Sequence, residues 1–400
     1  MTREAIGIAF IGHGWMGRAH AHALHTLERM APVAKRIRLV SVAGRSPERA
    51  EQAARRFGFE RWTIDWTELI DDPEIDVVAN LASNDQHVAP SIEALRSGRH
   101  VLCEKPLGRD LQEARAMLDA ADSSPATAAC GFNYRFVPAI RLARELVSSG
   151  RLGAVRQFRA AYLQDWAASP ELGASWRFDK AESGSGAVGD YSHIVDLLRY
   201  LAGEPRSVTA VLSRFVGERS AEGGNGDRRA VDVEDAYAAI LELDGPGLAT
   251  LEASRCATGR KGHQALELYG ERGALWWNME DLNRLHVFFS EDERDGVGGF
   301  RDVLVTEPEH PFLQHWWAPG HILGWEHTFV HQWRDFLEAA LDGRPVSPDQ
   351  ASFEDGYRAA AVCAGILAAG EQGRRVELRP EPVEEPGSPS GASRIERGEP

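Results

Sequence analysis

The sequence has few cysteines and no long hydrophobic run. Its 400 residues contain only four cysteines, at positions 103, 130, 256 and 363, with no CxxC pair. This usage excludes a disulfide framework and favours buried free thiols in a reducing compartment. No apolar stretch approaches the roughly 20 residues of a membrane helix, and no signal-peptide pattern follows Met1. These absences predict a cytoplasmic protein that does not associate with membranes.

Positive charge is also scarce. The chain carries 60 acidic and 45 basic residues, for a net charge of −15. Because nucleic acids and anionic membranes bind basic surfaces, this balance argues against both as partners. Only four of the basic residues are lysines, Lys35, Lys105, Lys180 and Lys261. A lysine among so many arginines is a candidate for proton chemistry, because arginine does not give up its proton in practice.

The apolar content, 43% of 400 residues, is enough for two domains with proper cores. Over residues 1–132, short β-branched runs alternate with amphipathic helical patterns. That rhythm predicts an α/β domain with a doubly wound parallel sheet of the Rossmann type.

The rhythm changes over residues 133–378, where longer alternating runs are separated by glycine-rich turns. This pattern predicts an α+β domain with a large, mainly antiparallel mixed sheet. Inside it, we expect a helix over 188–201 and a mobile loop over 217–229. Residues 379–400 are rich in proline, glutamate, glycine and serine, a composition that predicts a disordered tail.

A glycine-rich motif follows the first predicted strand and precedes a helix: Gly12, His13, Gly14, Trp15, Met16 and Gly17. In a βαβ unit the three glycines allow a tight turn, a close approach of pyrophosphate and close helix packing. The helix N-terminus then faces the phosphates. An ordinary glycine-rich turn is the alternative, but the position at the start of a βαβ series favours dinucleotide binding.

The end of the second predicted strand bears on the choice between NAD and NADP. A site that selects NAD commonly carries an acidic residue there, which binds the ribose hydroxyls. This chain has Gly44, Arg45 and Ser46 instead. Arg45 and Ser46 would suit a 2′-phosphate. A solvated loop arginine is equally compatible with the pattern, so both cofactors remain open.

Three residues are candidates for proton transfer. Lys105 follows a predicted strand, and the carboxyl ends of strands in a doubly wound sheet collect ligands. Asp190 and His193 are three residues apart, which places them on one face of the predicted helix. A carboxylate beside an imidazole is typical of a histidine that transfers protons near neutral pH. The alternatives are a surface lysine and an aspartate that only caps the helix.

The other histidines do not indicate a metal. His327 and His331 have a spacing that can bind zinc, but the HExxH order and a third ligand are missing. Three histidines of the first helix, His20, His22 and His25, have no acidic or cysteine partner along it. We therefore expect packing or pocket-lining roles and no metal site.

Together the motifs resemble those of the Gfo/Idh/MocA oxidoreductases over residues 5–378. The resemblance rests on GHGWMGRAHAHAL (12–24), ASNDQH (82–87), CEKPL (103–107), GFNYRF (131–136) and GDYSHIVDLLRYLAG (189–203). It implies a nicotinamide-binding domain followed by a mixed-sheet domain that lines the active site. The catalytic residues that it implies are Lys105, Asp190 and His193. The further cofactor-site residues that it implies are Ser83, Asn84, His87 and Glu104.

One departure from the family pattern concerns Asp190, because many members have three residues between this aspartate and the histidine and this chain has two. The second half of the chain resembles members that oxidise glucose-type pyranosides, through YLQDW (162–166), SWRFDK (175–180) and GHILGWEH (320–327). This resemblance implies Tyr134, Trp166 and Arg177 as substrate-pocket residues. The function that it predicts is hydride transfer between NAD or NADP and C3 of a sugar such as levoglucosan or a glucoside.

Three other functions fit parts of the pattern. An inositol dehydrogenase is a near neighbour in substrate chemistry. A redox-neutral enzyme would hold NAD permanently and oxidise its sugar only transiently. A sugar sensor would have no need for the pair formed by Lys105 and His193, which argues against it. The resemblance also implies a homo-oligomer, either a dimer or a tetramer.

Overall fold

The structure is a computed structural model that describes residues 4–221, 227–296 and 298–378. The predicted disordered tail, 379–400, lies outside the described residues. Among the residues described, no helix combines the length and the apolar character that a membrane crossing requires.

The first domain is built on a six-stranded parallel sheet. Its strands are β1 Ala5–Ile11, β2 Arg36–Ala43, β3 Arg61–Thr63, β4 Val77–Asn80, β5 His100–Cys103 and β6 Ala128–Cys130. Its helices are α1 Trp15–Met30, α2 Pro47–Phe57, α3 Thr67–Asp71, α4 Val88–Arg96 and α5 Leu111–Asp122. The strand order is β3-β2-β1-β4-β5-β6, which confirms the predicted Rossmann-type fold.

This strand order places the cofactor loop. The chain leaves β1 toward β2 on one side and later returns to form β4 on the other side of β1. A crevice therefore opens at the carboxyl ends of β1 and β4, where doubly wound sheets bind their ligands. Ala9 and Phe10 of β1 point to opposite faces of the sheet and are both fully buried, so both faces of the strand are covered.

The second domain is built on a nine-stranded mixed sheet. Its strands are β7 Val155–Leu163, β8 Pro205–Ser213, β11 Ala236–Leu243, β12 Leu248–Ser254, β13 His263–Gly270, β14 Gly273–Asn278, β15 Arg284–Phe289, β16 Arg301–Leu304 and β17 Val376–Glu377. A separate hairpin consists of β9 Glu218–Ser220 and β10 Arg228–Ala230. The helices are α6 Pro138–Ser148, α7 Lys180–Ser183, α8 Ala187–Asp190, α9 Ser192–Ala202, α10 His327–Asp342 and α11 Phe353–Gln372.

The sheet order is β16-β15-β14-β13-β7-β12-β11-β8-β17. Among the strands that the structure describes in this sheet, only β7 and β12 pair in parallel, as expected for a mainly antiparallel mixed sheet. Helices α6, α9 and α11 contact strands of this sheet.

Two predicted elements differ in the structure. The helix expected over 188–201 is interrupted at Tyr191, which separates α8 from α9. The loop expected over 217–229 contains the β9–β10 hairpin, and its residues 222–226 lie outside the described part. Arg219 anchors this hairpin to the rest of the domain. Its side chain is fully buried and donates hydrogen bonds to the carbonyls of Ala167 and Ser169. A periodicity argument cannot detect such a buried polar anchor.

Helix α10 comes from the second half of the chain but packs on the first domain. Its Phe329 and Trp333 are fully buried and share a hydrophobic cluster with Phe10 of β1 and Leu24 of α1. The domain boundary at 132/133 stays a prediction.

Candidate active site

A cleft of about 940 Å³ lies between the glycine-rich loop of the first domain and the inner face of the second. It brings together nearly all of the predicted site residues. Those that line it are Gly12, His13, Gly14, Trp15, Met16, Arg45, Ser46, Ser83, Asn84, Glu104, Lys105, Tyr134, Trp166, Arg177, Asp190 and His193.

Two predicted cofactor-site residues do not line the cleft. Gly17 packs beneath the loop, where a Cβ would lie 3.2 Å from the Gly12 carbonyl oxygen, in agreement with its expected packing role. The expected position of His87 at the edge of the cofactor site stays a prediction. His87 is 1% exposed, and its Nδ1 lies 2.8 Å from the backbone oxygen of Pro106. His87 therefore supports the turn that carries Lys105.

The glycine-rich loop fits a diphosphate. Gly12 has φ +92°, and a Cβ there would lie 2.7 Å from the Leu81 carbonyl oxygen, so only glycine suits this turn. Helix α1 begins at Trp15 without a side-chain cap. The first backbone N–H groups of a helix have no partner within it and, with the helix dipole, bind anions. The residues present therefore fit the pyrophosphate of a dinucleotide.

Two arginines line the cleft near the start of α2. Arg45 and Arg49 both line the cleft, and sequence reasoning identified only Arg45. Ser46 caps α2: its Oγ accepts a hydrogen bond from the Arg49 backbone N–H at 3.3 Å and donates one to Glu48 at 2.8 Å. Arg49 lies in the first turn of α2, and its position just after Arg45 and Ser46 was the available signal.

Lys105 follows β5 and reaches across the cleft to the second domain. Its Nζ donates a hydrogen bond to the backbone oxygen of Asp190 at 2.8 Å. Burial lowers the pKa of Lys105, while the negative charges of Asp190 and Glu104 oppose that shift. This lysine is therefore held in place and is closer to losing its proton than an exposed lysine.

The carboxylate of Asp190 has a different partner from the one that the sequence predicts. It pairs with Arg255, with 2.7 Å between Nη2 and Oδ2 and 2.8 Å between Nε and Oδ2. The expected contact with His193 is wrong, because the break at Tyr191 ends the helical face that the two would share. Arg255 is fully buried just after β12, and no sequence signal connected it to a residue 65 positions earlier.

His193 is 8% exposed at the cleft, beside an aromatic wall. Its ring lies edge-on to Tyr134 at 4.6 Å and to Phe132 at 5.8 Å between centroids. Nδ1 is buried without a hydrogen-bond partner, and no described residue hydrogen-bonds Nε2 either. Burial and the positive charge of Lys105 hold the pKa of His193 well below its usual range. At neutral pH this imidazole is therefore uncharged and able to accept a proton.

Tyrosine hydroxyls continue the wall around His193. The hydroxyl oxygens of Tyr134 and Tyr162 lie 3.1 Å apart, and Trp325 donates its indole N–H to Tyr134 at 3.3 Å. Tyr162 and Trp325 were not identified from the sequence. The motifs YLQDW and GHILGWEH, which contain them, were the available signal.

The two other predicted substrate residues lie in the outer cleft. Trp166 donates its indole N–H to the Tyr191 hydroxyl at 3.3 Å, and that hydroxyl donates to Gln164 at 3.2 Å. Arg177 is exposed, and its guanidinium lies 4.4 Å from the centroid of the Trp176 ring. Aromatic faces bordered by hydroxyl and amide groups suit a sugar ring, which has apolar C–H faces and polar edges.

The histidine pair at the start of α10 makes other contacts. His331 accepts a hydrogen bond from the Trp316 indole at 2.7 Å through Nε2, and its Nδ1 lies 3.0 Å from the Phe136 carbonyl oxygen. Both ring nitrogens are thus engaged. No group of three histidine, cysteine, aspartate or glutamate side chains with metal-site geometry occurs in the part of the chain that the structure describes.

Comparisons with known proteins agree with this geometry. Residues 6–132 match the oxidoreductase family with an NAD-binding Rossmann fold, and residues 140–276 match the GFO/IDH/MocA C-terminal domain. Levoglucosan dehydrogenase of Pseudarthrobacter phenanthrenivorans is 38% identical over 380 residues, which is 91% of this chain and 96% of that protein. Inositol 2-dehydrogenase of Rhizobium meliloti is 30% identical over 376 residues, or 93% and 99% of the two chains.

Among solved structures, levoglucosan dehydrogenase in complex with NADH and L-sorbose superimposes with a TM-score of 0.90 at 37% identity. The match covers 94% of this chain and all of that one. The chain therefore belongs to the Gfo/Idh/MocA family of NAD-binding sugar and polyol oxidoreductases.

Proposed function

We propose that the protein oxidises C3 of a glucose-type pyranoside, such as levoglucosan or a glucoside, with NAD or NADP as hydride acceptor. The observation that carries this proposal is that Lys105 and His193 both line the cleft that also contains the glycine-rich loop, with the charge of Lys105 acting on the imidazole. The similarity to a levoglucosan dehydrogenase over 91% of the chain supports the substrate class.

The nicotinamide, when bound, supplies the acceptor for the hydride that leaves the sugar carbon. His193 takes the hydroxyl proton through Nε2, and as an uncharged imidazole it is ready to do so. Lys105 donates a hydrogen bond to the same oxygen and stabilises the negative charge that develops there. A positioned base contributes ~10²–10⁴-fold in rate, and one such donor contributes on the order of 10²–10³-fold.

Asp190 acts on Lys105 in this scheme. Its backbone oxygen fixes the direction of Nζ, and its carboxylate charge keeps Lys105 more easily protonated. Arg255 fixes the carboxylate in turn. The proton acceptor, His193, and the oxygen-binding cation, Lys105, are therefore separate groups in this scheme.

The sugar lies against the aromatic side chains of Tyr134, Tyr162 and Trp166. Hydroxyl groups of Tyr162 and Tyr191 and the amide of Gln164 are within the same cleft and offer partners for the sugar hydroxyls. An inositol presents the same ring of hydroxyls, and the similarity to an inositol 2-dehydrogenase keeps inositols as the second substrate candidate.

Selective deuteration tests the oxidised position. Methyl glucosides that carry deuterium at C2, C3 or C4 are incubated with the protein and NAD or NADP, and the reduced cofactor is examined by mass spectrometry. Deuterium in the cofactor from the C3-labelled sugar alone is the expected result. Label from C2 or C4, or turnover of inositols only, would overturn the assignment to C3.

A further inference from the structure

A buried chain of hydrogen bonds connects helix α10 to the cleft. The indole N–H of Trp333 donates to Nδ1 of His20 at 2.9 Å. Nε2 of His20 lies 3.1 Å from Oε1 of Glu104, whose side chain lines the cleft beside Lys105. Trp333 and His20 are both fully buried and Glu104 is 5% exposed, so water does not compete for these bonds.

The three groups can form these hydrogen bonds in only one direction, from Trp333 to His20 to Glu104. An indole nitrogen can only donate a hydrogen bond. Nδ1 of His20 must therefore be an acceptor and cannot carry a proton. The ring proton is then on Nε2, which donates to the carboxylate of Glu104. One donor on α10 thus determines the tautomer of a histidine on α1.

Other contacts hold Glu104 on its remaining sides. Its Oε2 accepts the backbone N–H of Lys105 at 3.2 Å. Gly131 lies so close that a Cβ there would be 2.9 Å from Oε1. The carboxylate therefore has one orientation, with its remaining acceptor capacity directed to the cleft.

We propose that Trp333 and His20 are positioning residues that fix Glu104 as a hydrogen-bond acceptor for the nicotinamide riboside half of the cofactor. The inference rests on the cofactor site of the proposed function and not on the choice of sugar. It assigns a role to His20, which the sequence pattern left as a packing residue, and it explains why α10 packs on the cofactor domain.

The first test measures the tautomer in the unmodified protein. Histidine labelled with ¹⁵N is incorporated, and long-range proton–nitrogen spectra are recorded at neutral pH. The Trp333→Phe variant identifies the His20 signals, because His20 is the histidine that loses the hydrogen bond from the Trp333 indole. A proton on Nε2 with a bare Nδ1 is expected. A proton on Nδ1, or on both nitrogens, would overturn the proposal whatever the protein oxidises.

The second test separates positioning from packing. Trp333→Phe keeps a ring in contact with Phe336, whose centroid lies 5.7 Å away, and removes only the indole donor. Calorimetric titration with NADH and with ADP, which lacks the nicotinamide riboside, requires no sugar. The affinity for NADH should fall roughly three- to tenfold, as for the loss of one hydrogen bond, while ADP binds unchanged.

The matched control is Trp277→Phe, which removes the donor of another fully buried tryptophan, bonded to the Leu282 carbonyl at 3.0 Å. This variant should leave both affinities unchanged. In a Glu104→Gln background, Trp333→Phe should add no further loss, because the two changes act through one path. Equal weakening of NADH and ADP, or an effect no larger than that of Trp277→Phe, would show packing alone and contradict the proposal.

Discussion

Asp190 and Arg255 form a charge pair in which Oδ2 lies 2.7 Å from Nη2, while the backbone oxygen of the same aspartate holds Nζ of Lys105 at 2.8 Å. One residue thus links a buried arginine to the lysine of the cleft. The charge of the aspartate acts on the pKa of Lys105, whereas no hydrogen bond among the described residues joins the aspartate to His193.

Asp190→Asn tests this link. The variant keeps the backbone oxygen but removes the negative charge that opposes the lowered pKa of Lys105. The pKa of Lys105 should therefore fall further, and the alkaline limb of the kcat/KM profile should move to lower pH by roughly one unit. An unchanged alkaline limb, measured with the same sugar and cofactor, would show that the charge of Asp190 does not act on Lys105.

Loss of the Arg219 side chain should weaken sugar binding without affecting cofactor binding. Arg219 binds the carbonyls of Ala167 and Ser169, at the start of a loop that lines the outer cleft through Leu172 and Trp176. Arg219→Met should loosen this loop and raise the sugar KM roughly tenfold, with the affinity for NADH unchanged. Arg228→Met is the matched control on the same hairpin, because Arg228 is exposed and pairs with Glu218. Equal sugar KM values for the two variants would refute this role.

The two arginines near the start of α2, Arg45 and Arg49, should affect the preference between NADP and NAD. If Arg45 and Arg49 bind a 2′-phosphate, changing both to alanine should lower the ratio of kcat/KM with NADP to that with NAD by roughly tenfold. Arg55→Ala is the control, since Arg55 lies on the same helix and pairs with Glu51 at the surface. A ratio that stays constant would mean that neither arginine contacts the adenosine ribose.

The buried His331 predicts a loss of stability in acid. Burial lowers its pKa from 6.5 to about 3 in the folded chain. Below pH 6.5 His331 binds a proton in the unfolded chain but not in the folded chain. Its contribution to the free energy of unfolding is therefore complete above that pH and is lost as the pH falls toward the folded pKa. One such group lowers the free energy of unfolding by about 2 kcal/mol between pH 6.5 and 5.

Urea unfolding at several pH values measures this effect. His331→Gln should be less stable at neutral pH, yet its free energy of unfolding should depend less on pH than that of the unmodified chain. The same slope for both proteins would show that His331 does not bind a proton on unfolding.

The sequence predicts the two sheets and most of the residues that line the cleft, because local patterns carry that information. The alternation of β-branched runs and helices places Gly12 and Lys105 at the carboxyl ends of parallel strands, and the structure confirms that placement. Spacing fails where partners are distant in the chain. The pair of Asp190 with Arg255, the anchor at Arg219 and the bonds from His20 to Glu104 all join residues at least 50 positions apart.

In the proposed mechanism, Lys105 and His193 carry out proton and charge chemistry on a sugar hydroxyl. The direct measurement is reduced-nicotinamide absorbance with levoglucosan, glucose, methyl glucosides and inositols, and with NAD and NADP in parallel. Lys105→Ala and His193→Ala are compared with Lys180→Ala, which removes an exposed lysine paired with Glu371. We expect a glucose-type sugar to be oxidised, with turnover reduced ~10²-fold or more in the first two variants and unchanged in the third. Turnover that persists in Lys105→Ala and His193→Ala would contradict the proposed roles of the two residues.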